Sequence, residues 1–297
     1  MKMKEEEKIV IIGLGLIGGS LALDFRKNKE RALLLGIDTD KEHVREALEL
    51  GIIDCEIDRS QIAEADWVIL AIPVDKTAAI LPEILDLVKE DAVVLDVGST
   101  KEQICKAVEN HPKRRNFIAM HPIAGTEFSG PSAAFEGLFA GKTNIICEIE
   151  KTAFSIQEKA LQLFKKLNMR IRYMDPKAHD KHIAYVSHLS HISSFMLGKT
   201  VIAEEQNERD IFDMAGSGFE STVRLAKSSP AMWTPIFKQN KKRVLKSLSE
   251  YIDNLNHFKM LLESDDFDSV YTEMEETNKI KEILKGIHLK KELSYGE

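Results

Sequence analysis

Six short apolar runs punctuate the first 175 residues of this 297-residue chain: Ile9 to Ile12, Leu33 to Ile37, Trp67 to Ile72, Val93 to Val97, Phe117 to Met120 and Asn144 to Ile149. Each is bounded by Gly, Pro or Asp and rich in β-forming residues, as buried strands are. Amphipathic stretches separate them, an alternation that predicts βαβ units feeding a largely parallel sheet. Beyond Asp175 and Pro176 no comparable run follows and a helical period takes over. It predicts one long helix over Ala178 to Glu204, a shorter one over Phe219 to Lys227, a third from Pro230 through His257 and a last over Asp266 to Lys285, with Pro230 in a favoured first-turn position. The tail after Gly286 has no period and is expected to be loosely held. The pattern therefore predicts an α/β domain over residues 1–175, a short connection near Asp175 and Pro176, and an all-α domain over residues 176–297. The cleft between them is the natural ligand site.

Composition narrows the class. Hydrophobic residues at 43% and charged residues at 30% are those of a globular protein with enough chain for two cores. A net charge of −7 argues against nucleic acid as a partner, because phosphate binding needs clustered cations. The basic stretch Lys238 to Lys246 is interleaved with Val244 and Leu245 and reads as a solvated helix face. Three widely spaced cysteines, Cys55, Cys105 and Cys147, favour neither a disulfide framework nor a zinc knuckle and fit a reducing compartment. The start, Met1 to Lys8, is charged, and the apolar run behind it ends at Gly13, too short for an export signal or a membrane span. A cytoplasmic protein is expected.

Gly13, Gly15 and Gly18 form G-x-G-x-x-G between the first predicted strand and a helical pattern starting near Ile17. In that setting the glycines serve a tight turn, close approach of a pyrophosphate and close helix packing, and the helix N-terminus faces the phosphates. The first domain is thus read as a Rossmann-like dinucleotide-binding domain, with Leu16 and Ile17 completing the loop. Asp38 ends the second predicted strand, where a carboxylate accepts hydrogen bonds from ribose hydroxyls and repels a 2′-phosphate, so NAD is expected in preference to NADP.

Candidate chemistry stands at two later strand ends, where ligands bind in open α/β sheets. In Asp96-Val97-Gly98-Ser99-Thr100-Lys101, Ser99 is placed to touch a ligand and at the same time to cap a helix beginning near Thr100. In Met120-His121-Pro122-Ile123-Ala124-Gly125-Thr126-Glu127, His121 follows an apolar strand on the cofactor side and is the candidate general base for oxidising an alcohol. Glu127 either orients a cation or is solvated. His179, His182, His188 and His191 do not make a metal site, because regular helical winding puts the first two opposite the last two; His179 and His182 read as surface residues. No metal is expected.

Taken together, G-L-G-L-I-G-G-S, D-V-G-S-T-K, H-P-I-A-G-T-E, the later S-H-L-S-H and the segment Gly216 to Trp233 resemble prephenate dehydrogenase over nearly the whole chain. The resemblance implies an NAD-dependent oxidative decarboxylation of tyrosine biosynthesis, giving 4-hydroxyphenylpyruvate. It implies that His121 accepts the proton of the ring hydroxyl while Ser99 fixes that hydroxyl and the imidazole. It places His191 in the substrate pocket, although Ser190 stands where the usual motif has Pro. Gly216, taken to end an acidic helix, and Arg224, whose fork suits a carboxylate, join Glu127 as substrate-side residues. It also implies a homodimer; some members of the family carry an ACT domain or a fused chorismate mutase, for either of which this chain is expected to be too short, so any inhibition by tyrosine is expected at the active site itself. Arogenate, or a small 3-hydroxy acid, is the competing substrate, although dehydrogenases of small 3-hydroxy acids use a lysine for which no motif appears here. A nucleotide-binding protein without chemistry would be expected to show a broken site, whereas Ser99, His121 and Arg224 are all present.

Overall fold

In the first strand, β1 (Glu7–Ile12), Ile9 and Ile11 enter one core while Val10 and Ile12 enter another. This is the two-residue period of a strand buried on both faces. The computed structural model, which describes residues 6–28, 31–208 and 210–285, extends the pattern through β2 (Ala32–Ile37), β3 (Cys55–Glu56), β4 (Trp67–Leu70), β5 (Val93–Asp96), β6 (Phe117–Pro122), β7 (Thr143–Cys147) and β8 (Arg170–Met174). They form one sheet in the order β3-β2-β1-β4-β5-β6-β7-β8. Neighbours are parallel except β6 and β7, which run antiparallel.

One face is covered by Leu21 and Phe25 of α1 (Leu16–Asn28), Val44 of α2 (Lys41–Glu49) and Phe164 of α5 (Phe154–Lys166). The other is covered by Leu81 and Leu85 of α3 (Val74–Leu87), Ile104 of α4 (Glu102–Ala107) and Trp233 and Ile236 of α9 (Pro230–Gln239). Each of these large side chains contributes about 1.5–3 kcal/mol on burial. Between α5 and α9 run α6 (Pro176–Ile183), a π turn over Ala184–His188, α7 (Leu189–Glu208) and α8 (Ser217–Val223); α10 (Lys241–Glu263) and α11 (Phe267–Thr277) follow.

The six expected strands are all present. β3 and β8 were not expected: β3 has two residues, and β8 is an edge strand reading Arg-Ile-Arg-Tyr-Met with Arg172 and Tyr173 exposed, which hides the apolar run of a buried strand. The helix expected over Ala178 to Glu204 is there, longer and containing the π turn. Three expectations need correction. Phe219 to Lys227 is split between α8 and a 3-10 turn over Arg224–Lys227. Gly216 does not end a helix but precedes one, as the N-cap of α8. The helix from Pro230 through His257 is interrupted at Asn240, whose side-chain amide is held by the Asp180 carbonyl at 2.6 Å and by Nδ1 of His188 at 3.2 Å. The tail after Gly286 lies outside the described residues. By compactness the chain divides into two units, residues 1–241 and 242–297, and the first holds the sheet together with α6 to α9. Among the described residues, no helix is long and apolar enough to cross a membrane.

Candidate active site

The loop after β1 is built to bring backbone close to something. Gly13 has φ +97°, and a Cβ there would stand 2.4 Å from the carbonyl oxygen of Ala71; at Gly18 it would stand 2.0 Å from the carbonyl oxygen of Gly13. Both positions exclude any side chain, whereas around Gly15 there is open space. α1 begins at Leu16, which is buried, and Ile17 is half-buried. Asp38, just past β2, accepts the backbone N–H of Leu14 on Oδ2 at 2.8 Å and that of Asp40 on Oδ1 at 2.9 Å. A carboxylate therefore sits beside the glycine loop, the arrangement that fits a dinucleotide with a free ribose diol.

β5 and β6 are parallel neighbours with Asp96 opposite Ala119, so the carboxyl ends of the two strands, with Ser99 just past β5 and His121 on β6, lie side by side. Ser99 is half-buried. It does not cap the following helix, as expected from sequence, because α4 starts later, at Glu102, and its first N–H groups are taken by another residue. The N–H of Lys101 donates to Oδ1 of Asp180 at 2.8 Å and that of Glu102 to Oδ2 at 3.0 Å. Lys101 is itself fully buried. Its ammonium pairs with Asp96 and donates to the Met120 carbonyl at 2.7 Å, tying the ends of β5 and β6 together next to His121.

His121 is buried on β6, and its Nδ1 lies 2.9 Å from Nε2 of His179. Nδ1 of His179 lies 2.7 Å from Oδ1 of Asp180. His179 is thus not the surface residue expected from sequence; it is 1% exposed and sits between the candidate base and a carboxylate, whereas His182 is exposed. Burial, together with neighbouring His179 and Lys101, holds the His121 imidazole well below its ordinary value. Burial raises Asp180, but hydrogen bonds from His179 and from the backbone N–H of Glu102 outweigh it, and the group stays a carboxylate.

The π turn changes the phase of the helix carrying the histidines. Such turns interrupt α-helices with one longer turn and recur at functional sites. His188, the last residue of the π turn, is buried against Trp233, and beyond it His191 stacks on the same indole with ring centroids 3.6 Å apart. Nδ1 of His191 donates to the Ser187 carbonyl at 2.9 Å. Burial lowers the His191 imidazole and Arg224 lowers it further, which places that guanidinium within electrostatic reach. Arg224 forms an ion pair with Glu127 at 3.0 Å. Glu127 lines an open cavity of about 660 Å³ with Thr126, Phe128, Ser132 and Phe135. Gly216 is exposed and has open space around it; among the described residues no hydrogen bond joins it to the other candidates.

Residues 21–173 match the nucleotide-binding domain model of prephenate dehydrogenase, and residues 175–276 match its dimerization domain model. The chain belongs to the prephenate dehydrogenase family. The prephenate dehydrogenase of Bacillus subtilis is 32% identical over 274 residues, 90% of this chain and 73% of that protein. The structure is similar to that of Aquifex aeolicus prephenate dehydrogenase in complex with hydroxyphenyl propionate and NAD+, with a TM-score of 0.82 and 32% identity over 95% of this chain and 99% of the other. It is also similar to that of Synechocystis arogenate dehydrogenase, with a TM-score of 0.74 and 27% identity over 93% and 99% of the two chains. The family resemblance read from the motifs is borne out.

Within this prephenate dehydrogenase family member, the structure brings Gly13, Gly15, Gly18 and Asp38 to one loop, His121 and Ser99 to adjacent strand ends, and Arg224 to Glu127. Sequence reasoning missed Lys101, His179, Asp180 and Asn240. The adjacent His179-Asp180 pair behind the helix-starting Pro176 was the one available signal, since an Asp that is not at the cap of its own helix is free to serve another.

Proposed function

We propose that this chain is an NAD-dependent prephenate dehydrogenase, oxidising and decarboxylating prephenate to 4-hydroxyphenylpyruvate in tyrosine biosynthesis. The observation that carries the reading is His121, a neutral, buried imidazole at the end of β6 with Nε2 unpartnered among the described residues. Gly13, Gly15 and Gly18, with Leu16 and Ile17 at the start of α1, receive the dinucleotide, and Asp38 holds its ribose. Bound NAD supplies the acceptor for the hydride leaving the ring carbon that bears the hydroxyl. His121 takes the hydroxyl proton, Ser99 orients that hydroxyl, and the ring carboxylate leaves as carbon dioxide as the ring becomes aromatic. His191, Arg224, Glu127 and the Gly216 segment form the substrate side, with Arg224 exchanging Glu127 for a substrate carboxylate. Most of the rate comes from alignment and proton acceptance.

We place the junction of the two domains at Asp175 and Pro176, between β8 and α6. A homodimer is expected, in keeping with the dimerization domain model. Tyrosine, which shares the product's ring and phenol, would compete at the same site. A cytoplasmic location agrees with three cysteines that form no disulfide.

The test is the appearance of NADH with prephenate, with arogenate and with NADP in place of NAD. Prephenate with NAD should be the productive combination; arogenate turned over faster would move the reading to arogenate dehydrogenase, the activity named for the Synechocystis neighbour. His121→Asn should lower kcat by about a hundred- to ten-thousand-fold, the usual contribution of a general base. In the parent enzyme the acid limb of kcat should lie below pH 6.5, because the base titrates below its ordinary value.

A further inference from the structure

The hydrogen atoms of the buried chain His121, His179, Asp180 can be assigned by elimination. Asp180 already accepts the backbone N–H groups of Lys101 and Glu102 through its two oxygens. A carboxylate in that position has no proton to give, so the hydrogen in its 2.7 Å contact with His179 sits on Nδ1 of the imidazole. With its ring hydrogen on Nδ1, His179 presents a lone pair at Nε2. The hydrogen in the 2.9 Å contact must come from Nδ1 of His121, which leaves Nε2 of His121 as its lone pair.

We propose that His179 and Asp180 are positioning residues that hold His121 in the Nδ1–H tautomer, so that Nε2 is the atom that receives the substrate's hydroxyl proton. This rests on the reading of His121 as the base. When Nε2 takes the proton, the imidazolium is hydrogen-bonded through His179 to a carboxylate, and charge develops along a path already aligned. The same proton balance holds on release: it leaves from Nε2, and the two inner hydrogens stay where they were. Which nitrogen of a histidine acts is set by the partner of the other, and a carboxylate behind the imidazole does this work in the serine protease triad. Here a second imidazole stands between.

The anchoring of Asp180 explains why the arrangement is rigid. Its carboxylate closes the N-terminus of α4, and its carbonyl accepts the side-chain amide of Asn240 at 2.6 Å. The β5–α4 loop that carries Ser99, the helix that carries His179 and the end of α9 therefore meet at one residue.

The experiment reads the tautomer directly, in the full-length resting enzyme. Nitrogen-15 resonances of the imidazole side chains, assigned to His121 by subtraction of the His121→Asn spectrum, should show a protonated Nδ1 and an unprotonated Nε2 at pH 7.5. An Nε2–H signal for His121 overturns the proposal even if the enzyme is fully active. Absence of prephenate dehydrogenase activity with the expected tautomer present would instead sink the functional reading. In kinetics, His179→Gln, whose amide can either accept or donate, should mix the tautomers and lower kcat about ten- to a hundredfold, less than the roughly ten-thousand-fold loss when a triad histidine is trapped in the wrong form. KM for prephenate and NAD should stay within twofold. Asp180→Asn keeps one acceptor oxygen and should fall between His179→Gln and the parent. A kcat unchanged in His179→Gln, with the protein folded, also refutes the positioning role.

Discussion

The backbone N–H of Leu14 donates to Oδ2 of Asp38 at 2.8 Å, so the residue that ends β2 also fixes the loop that follows β1. Asp38 is therefore bound to the glycine loop before any ribose arrives.

Asp38→Ser should lower the preference for NAD over NADP and also loosen the loop, raising KM for NAD about tenfold, a factor that corresponds to the loss of one charged hydrogen bond. Asp38→Asn, which keeps an acceptor for Leu14, should change the preference with less effect on NAD itself. Cofactor titrations of the three proteins check this; equal use of NADP by the parent enzyme contradicts the assignment of Asp38.

Arg224 is about half exposed and its pair with Glu127 is a single contact, so losing it should change stability by no more than about 0.5 kcal/mol. Its effect belongs in substrate binding. Arg224→Ala should raise KM for prephenate about ten- to a hundredfold, in line with the 1.5–3 kcal/mol of a hydrogen bond to a charged group, and leave the NAD affinity alone. Arg224→Lys should recover only part of this because a point charge lacks the planar fork. An unchanged KM in a folded Arg224→Ala protein would make it an ordinary surface arginine.

Lys101 and Asp96 are both fully inaccessible. Removing one partner leaves an uncompensated buried charge, so Lys101→Met should destabilise the protein by about 3–5 kcal/mol, whereas replacing both, as in Asp96→Leu with Lys101→Met, should restore much of the loss. Denaturant unfolding of the two proteins separates a structural pair from a catalytic lysine: restored stability with restored kcat supports the structural role, and restored stability without activity contradicts it.

Burial lowers the His188 imidazole to about 4, and that of His121 is lowered as well. For His188, between pH 6.5 and about 4 the unfolded chain binds a proton that the folded chain does not, so its contribution to stability should fall as pH falls through that window and level out below it; His121 adds to the fall in the same direction. For His188 alone the span corresponds to roughly 3 kcal/mol. His188→Gln should flatten the decline in Tm between pH 7 and pH 4.5; an identical slope in both proteins would show that the imidazole does not stay neutral.

Strands flanked by helices were legible because Ile9 to Ile12 or Val93 to Val97 can be buried on both faces only as continuous apolar runs. The glycine loop was legible because Gly13 and Gly18 stand where any Cβ collides with backbone. Arg170 to Met174 was not, since an edge strand with Arg172 and Tyr173 exposed satisfies no buried pattern. The candidate base His121 could be read from its strand end. Its partners could not: a lysine is nearly always solvated, so the burial of Lys101 shows only once β5 and β6 are laid side by side. The cap that Asp180 gives to α4 spans 78 residues, and no local rule reports it. His179 was misplaced for a different reason, because projecting the histidines onto a regular helix assumes uniform winding between residues 179 and 191, and the π turn removes that assumption.

That turn makes the winding of the helix, and not only its composition, a property of the site. Rewinding Ala184 to His188 as plain α-helix with all its residues kept would swing everything after it by about 100°, roughly one residue's rotation, relative to His179. The stacked His191 and Trp233 would be parted while every chemical group remained in the chain. Middles of long surface helices commonly bear substitution well; here a change that alters no functional group would still uncouple the proposed proton path before the turn from the His191–Trp233 stack beyond it.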